Sequence, residues 1–322
     1  MRIGYHASHE QHPPRALLEY AQQAEAVGFE AGMCSDHFMP WSTRQASSGL
    51  SWSWLGAALE ATELSYGTVA APGDRYHPAI VAQAIATLGQ MYPGRFWVAL
   101  ASGEQLNEHI TGATWPDKAE RNARLRECVD VIRRLLRGEE VSHSGLVEVQ
   151  RARLYILPGQ PVPLFGAALT TETAEWAGEW ADGLITAAAS PEDAAPIIEH
   201  FRRGGGAGKP VAVQAVVSWA ESDEAALDAA YDQWRQAALP PDDLANLGTP
   251  EVFDAAVAEV PREQIAELIP SFADPAEHVR LLRRYAELDA DSVYVHNVAL
   301  NQPAFIEMYG REVLPSLRRV AR

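Results

Sequence analysis

Lysine is almost missing from this chain: Lys118 and Lys209 are the only two among 322 residues, so nearly all of the 26 basic side chains are arginine. Against them stand 43 acidic residues, for a formal net charge of −17. Nucleic-acid faces and surfaces for anionic membranes need dense positive charge, and this balance argues against both. The scarcity of lysine beside abundant alanine fits the composition that a GC-rich genome produces. Cysteine is equally scarce. Cys34 and Cys128 are the only two, too few and too far apart for a disulfide framework or a metal-type pair, so they read as reduced structural thiols. No run of about 18 apolar residues occurs, so no membrane-spanning helix is expected. Residues 1–14 lack the apolar stretch of a signal peptide, and a soluble, cytoplasmic protein is expected.

What the chain does have is apolar content, 47% of its residues, enough for one large core. Short β-rich runs alternate with amphipathic stretches. The strand candidates are residues 2–7, 30–34, 64–70, 96–101, 163–168, 183–187, 211–219 and 292–298. The helical windows are 16–27, 53–62, 80–92, 118–137, 171–180, 192–203, 223–237 and 303–319. In the fourth window Leu125, Val129, Ile132 and Leu136 recur at helical spacing. Eight strands alternating with eight helices predict an α/β fold, a (β/α)8 TIM barrel forming a single domain over residues 1–322. A doubly wound open sheet is the runner-up, but the turn after Ala7 carries no glycine. Two barrel insertions are expected: a β-hairpin within 141–157, before the fifth strand, and a partly helical segment, 239–274, after the seventh.

Parallel barrels carry their chemistry at the C-terminal ends of the strands. The first strand is followed by His9 and Glu10, and the second by Ser35-Asp36-His37-Phe38-Met39-Pro40-Trp41. The third ends in Val69-Ala70-Ala71, and the fourth in Ser102-Gly103-Glu104-Gln105-Leu106-Asn107. Histidine titrates near neutrality and a partly buried glutamate can be raised toward it, so His37 and Glu104 are acid–base candidates. A single strand-end histidine more often serves only loop hydrogen bonds; the convergence of Asp36, His37, Trp41, Glu104 and Asn107 favours a functional site. A metal centre is the weaker reading. His6 and His9 lie three apart rather than one, and the other histidines are scattered. His143, His200 and His278 are expected in loops or on the surface. Trp52 and Trp54 could wall a pocket or simply pack.

These residues also carry a resemblance. Gly4-Tyr5-x-Ala7-Ser8-x-Glu10-Gln11, Ser35-Asp36-His37-Phe38-x-Pro40-Trp41, Arg75-Tyr76-x-Pro78-Ala79, Gly103-Glu104-x-Leu106-Asn107-Glu108 and Glu120-Arg121-x-Ala123-Arg124-Leu125 resemble the luciferase-like monooxygenase superfamily. Within it the chain is most similar to the group of glucose-6-phosphate dehydrogenases that use coenzyme F420, an 8-hydroxy-5-deazaflavin. The resemblance implies a flavin- or deazaflavin-dependent oxidoreductase that uses F420 or FMN, acts on a small molecule and forms a homodimer. It implies that His37 and Glu104 flank the reacting ring, with Trp41 on the substrate side and Glu10 as a further polar wall. Asp36 and Asn107 would hydrogen-bond the cofactor and Ser102 and Gly103 would line it, with Val69, Ala70 and Ala71 near its ring. That third-strand end carries a non-proline cis peptide in the family, a bond that costs about 3–4 kcal/mol.

Departures shape the rest of the expectation. Relatives hold a sugar phosphate with lysines after the sixth strand and in the late insertion. Here those stretches read Ala187-Ala188-Ala189-Ser190 and residues 251–263, without lysine. Glucose 6-phosphate is therefore disfavoured unless Arg280 or Arg283 substitutes. Where relatives have Gly-Gly beside the cofactor phosphate, this chain has Leu169-Thr170, after Ala167-Ala168, followed by Thr171-Glu172-Thr173 opening a helix whose start can bind a phosphate, Thr170 or Thr171 otherwise serving only as an N-cap. An FMN monooxygenase using oxygen, a non-catalytic flavin-binding barrel and a metal-dependent hydrolase are the alternatives.

Overall fold

The computed structural model describes residues 1–188 and 190–318. Its strands are β1 (Arg2–Ala7), β2 (Ala31–Cys34), β3 (Ser65–Ala70), β4 (Phe96–Leu100), β5 (Val141–Ser144), β6 (Glu148–Ala152), β7 (Leu164–Ala167), β8 (Gly183–Ala188), β9 (Val211–Val217) and β10 (Ser292–Asn297). Eight of them close a parallel barrel in the order β1-β10-β9-β8-β7-β4-β3-β2, while β5 and β6 pair with each other as an antiparallel hairpin. The expected barrel is therefore present, with the hairpin ahead of its fifth strand.

Alternation along each strand divides the apolar residues into two layers. Trp97, Phe165, Ile185, Ala212 and Tyr294 face inward and form the barrel's own core. Leu100, Leu164, Leu184, Val213 and Val295 face outward against the helices. The inner core is plugged by Trp97, which stacks on Phe165 with ring centroids 5.0 Å apart and donates from Nε1 to the Tyr294 hydroxyl at 3.1 Å. Room for the indole exists only because β3 carries Gly67; a Cβ there would meet Trp97 at 1.9 Å. Above this plug the barrel opens into a cleft.

Two expectations need correction. The crossover between β9 and β10 is made by the helix Pro275–Ala286, which was not among the helical windows. The window 223–237 instead begins the insertion, whose further helices are Pro241–Asn246, Pro250–Ala256 and Arg262–Leu268. His278 lies on that crossover helix and is fully buried, its ring nitrogens 3.0 Å from the Tyr309 hydroxyl and 3.2 Å from the Phe272 carbonyl. Two protein partners compensate its burial. The last predicted window reaches Arg319, which lies outside the described residues, as does Ala189. No helix among the described residues is long and apolar enough to cross a membrane.

Candidate active site

The site is assembled from the ends of β1, β2, β3 and β4. After β1 the chain turns so that Glu10 is buried beside β2. Its Oε2 accepts from the Ser35 hydroxyl at 2.5 Å and from Ser8 at 2.9 Å. Ser35 in turn accepts from the His9 backbone N–H at 2.9 Å, which locks the two strand ends together. Two residues on, the imidazole of His37 places Nε2 3.3 Å from Glu10 Oε1 and 3.8 Å from Glu104 Oε2. Glu104 precedes a short helix, Gln105–Glu108, whose Asn107 fixes the group. Asn107 Oδ1 accepts from the Phe38 N–H at 2.8 Å, so its amide nitrogen must face Glu104 Oε2 at 3.1 Å and His37 Nδ1 at 3.4 Å. One amide thereby orients the histidine and one of its carboxylates.

The two carboxylates are pushed in opposite directions. Burial alone would raise Glu10, but the facing His37 and the Ser35 hydroxyl outweigh it and hold the acid below its ordinary value. Burial raises Glu104, and the Glu10 charge adds to that, with His37 opposing. Glu104 keeps 30% of its side-chain surface open to the cleft, yet it sits deep among protein atoms, and any ring covering it would strengthen the shift. A histidine between one carboxyl held below its ordinary value and one raised above it is an arrangement suited to acid–base work.

Asp36 is engaged within the protein. Its carboxylate accepts from Ser51 at 2.7 Å, Arg75 at 3.0 Å and Tyr76 at 3.1 Å. Arg75 continues to Glu108, whose Oε2 accepts the Arg75 backbone N–H at 2.7 Å; burial pushes that carboxyl up to about 7. This Asp36–Arg75–Glu108 tie joins the β2, β3 and β4 loops and sets where His37 and Glu104 start. Trp41 leans on His37 with centroids 4.7 Å apart and is backed edge-on by Phe253 of the insertion at 5.2 Å.

These groups open into a cleft of about 350 Å³, within the range of small-molecule sites. Val69, Ala70, Ala71, Ser102, Gly103, Ala167, Ala168, Leu169 and Thr170 all line it, as do Glu10, Asp36, His37, Trp41, Glu104 and Asn107. Thr171 does not. As the first helical residue it turns away, and Thr173, whose N–H is capped by the Thr170 hydroxyl, lines the cleft in its place. A flat ring fits the slot because its walls are small residues, with Gly103 at φ 89° giving the backbone a turn that a side chain would strain. An anionic tail fits the start of the helix Thr171–Gly178, where Lys118 and Arg121 line the same cleft and Arg121 Nε is buried without a partner. The expected cis peptide at the end of β3 is absent: among the described residues every peptide bond is trans. There β3 simply stays in register with β4, the Ala101 N–H donating to the Ala70 carbonyl at 3.0 Å.

The far wall was not foreseen. His6, Gln214, Trp234, Gln236 and His296 also line the cleft. The inward parity of β1, β9 and β10 could have flagged three of them; Trp234 and Gln236 belong to the insertion, whose path only the tertiary fold defines. Of the two tryptophans left open, Trp54 packs on His9 and Tyr66, and Trp52 on Phe96. Among the described residues no cluster of three or more His, Cys, Asp or Glu is arranged to hold a metal.

A parallel barrel whose mouth sets a histidine between two carboxylates beside a small-walled slot is an arrangement that suits a cofactor-dependent oxidoreductase. Residues 1–292 match the luciferase-like monooxygenase family, and the chain belongs to it. The chain is 35% identical over 329 residues to the F420-dependent glucose-6-phosphate dehydrogenase of Beutenbergia cavernae, covering 99% of this chain and 98% of that protein. It is 33% identical over 334 residues to the protein of the same name from Mycolicibacterium smegmatis, covering 100% and 99%. Among solved structures, an F420-dependent secondary alcohol dehydrogenase in complex with an F420-acetone adduct superposes with a TM-score of 0.91 at 31% identity, over 98% of this chain and 99% of that one. The coenzyme F420 dependent tetrahydromethanopterin reductase from Methanopyrus kandleri shares the fold, with a TM-score of 0.77 at 21% identity.

Proposed function

We propose that this enzyme oxidises or reduces a small alcohol–carbonyl pair by hydride transfer, with coenzyme F420 or FMN as the ring cofactor. Full-length similarity to F420-dependent dehydrogenases supports F420 of the two. When bound, such a ring supplies the hydride acceptor for an alcohol carbon becoming a carbonyl. The slot between Val69–Ala71 and Ser102–Gly103 would hold that ring, and Thr170, Thr173, Lys118 and Arg121 an anionic tail.

The observation that carries the reading is the His37 imidazole held between carboxylates of opposed acidity. Nδ1 faces the Asn107 amide donor, so Nε2 carries the ring proton and hydrogen-bonds the substrate oxygen. Glu10, ionised and 3.3 Å from Nε2, takes up the alcohol's proton as the carbonyl forms and returns it in the reverse direction. Glu104, raised above its ordinary value by burial, would be the group that exchanges a proton beside the ring. Trp41 closes the substrate side and excludes water.

Titration of the purified chain with F420 and, separately, with FMN tests the reading by visible absorption. Binding of at least one is expected, and failure of both to bind would refute the assignment. His37→Ala and Glu104→Ala should each retain cofactor binding while reducing kcat at least a hundredfold. Undiminished turnover would instead mark a barrel that binds flavin without using these groups.

A further inference from the structure

The cleft is electrostatically divided. Its charged half is built by the ends of β1 to β4, where Glu10, Asp36, Arg75, Glu104 and Glu108 lie. Around the other half, β8, β9, β10 and the insertion contribute Ala187, Gln214, Val216, His296, Trp234 and Gln236. The cationic side chains lining the cleft, among the described residues, are Arg75, Lys118 and Arg121. Arg75 is committed to Asp36 at 3.0 Å and to Glu108 at 3.6 Å. Lys118 stands near Glu172 at the start of the helix Thr171–Gly178, on the tail side. Arg121 lies with Lys118 on the tail side, its Nη1 donating to the Pro116 carbonyl at 2.9 Å and Asp242 of the insertion beside it. The wall formed by Gln214, His296, Trp234 and Gln236 therefore offers a phosphate dianion no cation, and Glu10 repels it.

Apart from Asp242, which lies near Arg121 on the tail side, that half is polar but neutral. His296 Nε2 donates to Gln11 Oε1 at 2.9 Å, and its Nδ1 accepts from Gln214 Nε2 at 3.2 Å, a pattern that only the uncharged ring satisfies with both amides so turned. His6 lies over His296 with ring centroids 4.4 Å apart, and Trp234 closes the other side of His296 at 4.6 Å. Burial keeps both histidines from protonating, His6 down to about 4. Yet His6 Nδ1 and Gln236 Nε2 are buried with no protein partner. Both side chains line the cleft, so a ligand's polar group there meets two wall residues whose hydrogen-bonding capacity the protein leaves unused.

We infer that the substrate is an uncharged alcohol, or its carbonyl counterpart, carrying a second hydrogen-bonding oxygen, and that His6 and Gln236 recognise that second oxygen. The inference rests on the oxidoreductase reading and deepens it, separating this chain from relatives named for a sugar phosphate.

The test uses the cofactor-loaded enzyme and matched compounds: butan-2-ol against butane-2,3-diol, glycerol against glycerol 3-phosphate, and glucose against glucose 6-phosphate. The diol should exceed the mono-alcohol in kcat/KM, and each phosphate ester should fall at least tenfold below its uncharged partner. In His6→Phe, which keeps an aromatic face on His296, the ratio of diol to mono-alcohol should drop about three- to tenfold. Gln236→Leu should lower the same ratio, and serves alone if the first variant does not fold. Calorimetry of diol binding should show the same loss of affinity without turnover. A preference for either phosphate ester, no turnover of any uncharged member, or an unchanged ratio in a folded variant overturns the inference. The cofactor titration above reads the oxidoreductase assignment by itself, so the two can fail separately.

Discussion

Removing the titration of His278 should flatten the pH dependence of stability by a calculable amount. In the unfolded chain a histidine takes its proton near pH 6.5; in the fold His278 does so only near 4, because burial disfavours the imidazolium and the Phe272 carbonyl and Asp274 compensate only partly. Between those values the unfolded chain binds more protons than the native one, so stability falls as the pH drops through the window and is intact above 6.5. At pH 5.5, one unit below the unfolded value, the loss from this single group is about 1 kcal/mol relative to pH 7.5. His6, His9 and His12 are lowered to about 4 as well and act in the same direction. Glu108, raised to about 7, opposes them, because the unfolded chain releases its proton at a lower pH than the fold does. The total slope thus mixes signs, and a difference between variants isolates the one group. His278 suits this, since it sits on the outer crossover helix, away from the cleft. Urea unfolding of wild type and His278→Gln at pH 7.5 and 5.5 gives four stabilities. The drop on acidification should be smaller in the variant by about 1 kcal/mol, whatever constant penalty the substitution adds. Equal drops would refute the claim that this histidine is buried in its neutral form.

Two further outcomes check the scaffold. Gly67→Ala should lower stability by about 1–3 kcal/mol, since the new methyl would have to displace the Trp97 indole, and thermal denaturation of Gly67→Ala beside the wild type will show it; an unchanged Tm would mean the barrel plug is looser than its packing indicates. Arg75→Met should cost about 3–5 kcal/mol by leaving Asp36 and Glu108 buried without their shared counter-charge, measured by urea unfolding. Arg75→Met with full stability would show that the tie between the three loops does not hold them.

The barrel was legible because its signals are local. Each strand is a short run bounded by turns, and inward and outward residues alternate within it, so all eight barrel strands could be placed within a few residues. The helix Pro275–Ala286 was missed although Val279, Leu281, Leu282 and Tyr285 give it a buried face. It follows the irregular insertion directly, and its start signal, Asp274 capping the Ala276 N–H with Pro275 opening the helix, comes after similar proline-led helix starts at Pro241 and Pro250 within the insertion. His278 was misjudged for the same reason. A polar residue on an unassigned segment reads as surface until the segment is known to pack.

The candidate site divides along the same line. Glu10, His37, Glu104 and Asn107 could be gathered from sequence because each directly follows a strand, and barrel closure alone brings such positions to one mouth. His6 and His296 begin and end the barrel, and only ring closure between β1 and β10 makes them neighbours. Trp234 and Gln236 reach the cleft through an insertion with no periodicity to follow. This asymmetry has a functional meaning. On the proposed reading, proton movement falls to the strand-end groups Glu10, His37 and Glu104, whereas the wall that would meet the rest of the substrate is contributed by the last strands and the insertion. The strand-end motifs of the first half of the barrel therefore bear on the proposed reaction, and the cation-free wall of Gln214, His296, Trp234 and Gln236 bears on what would undergo it.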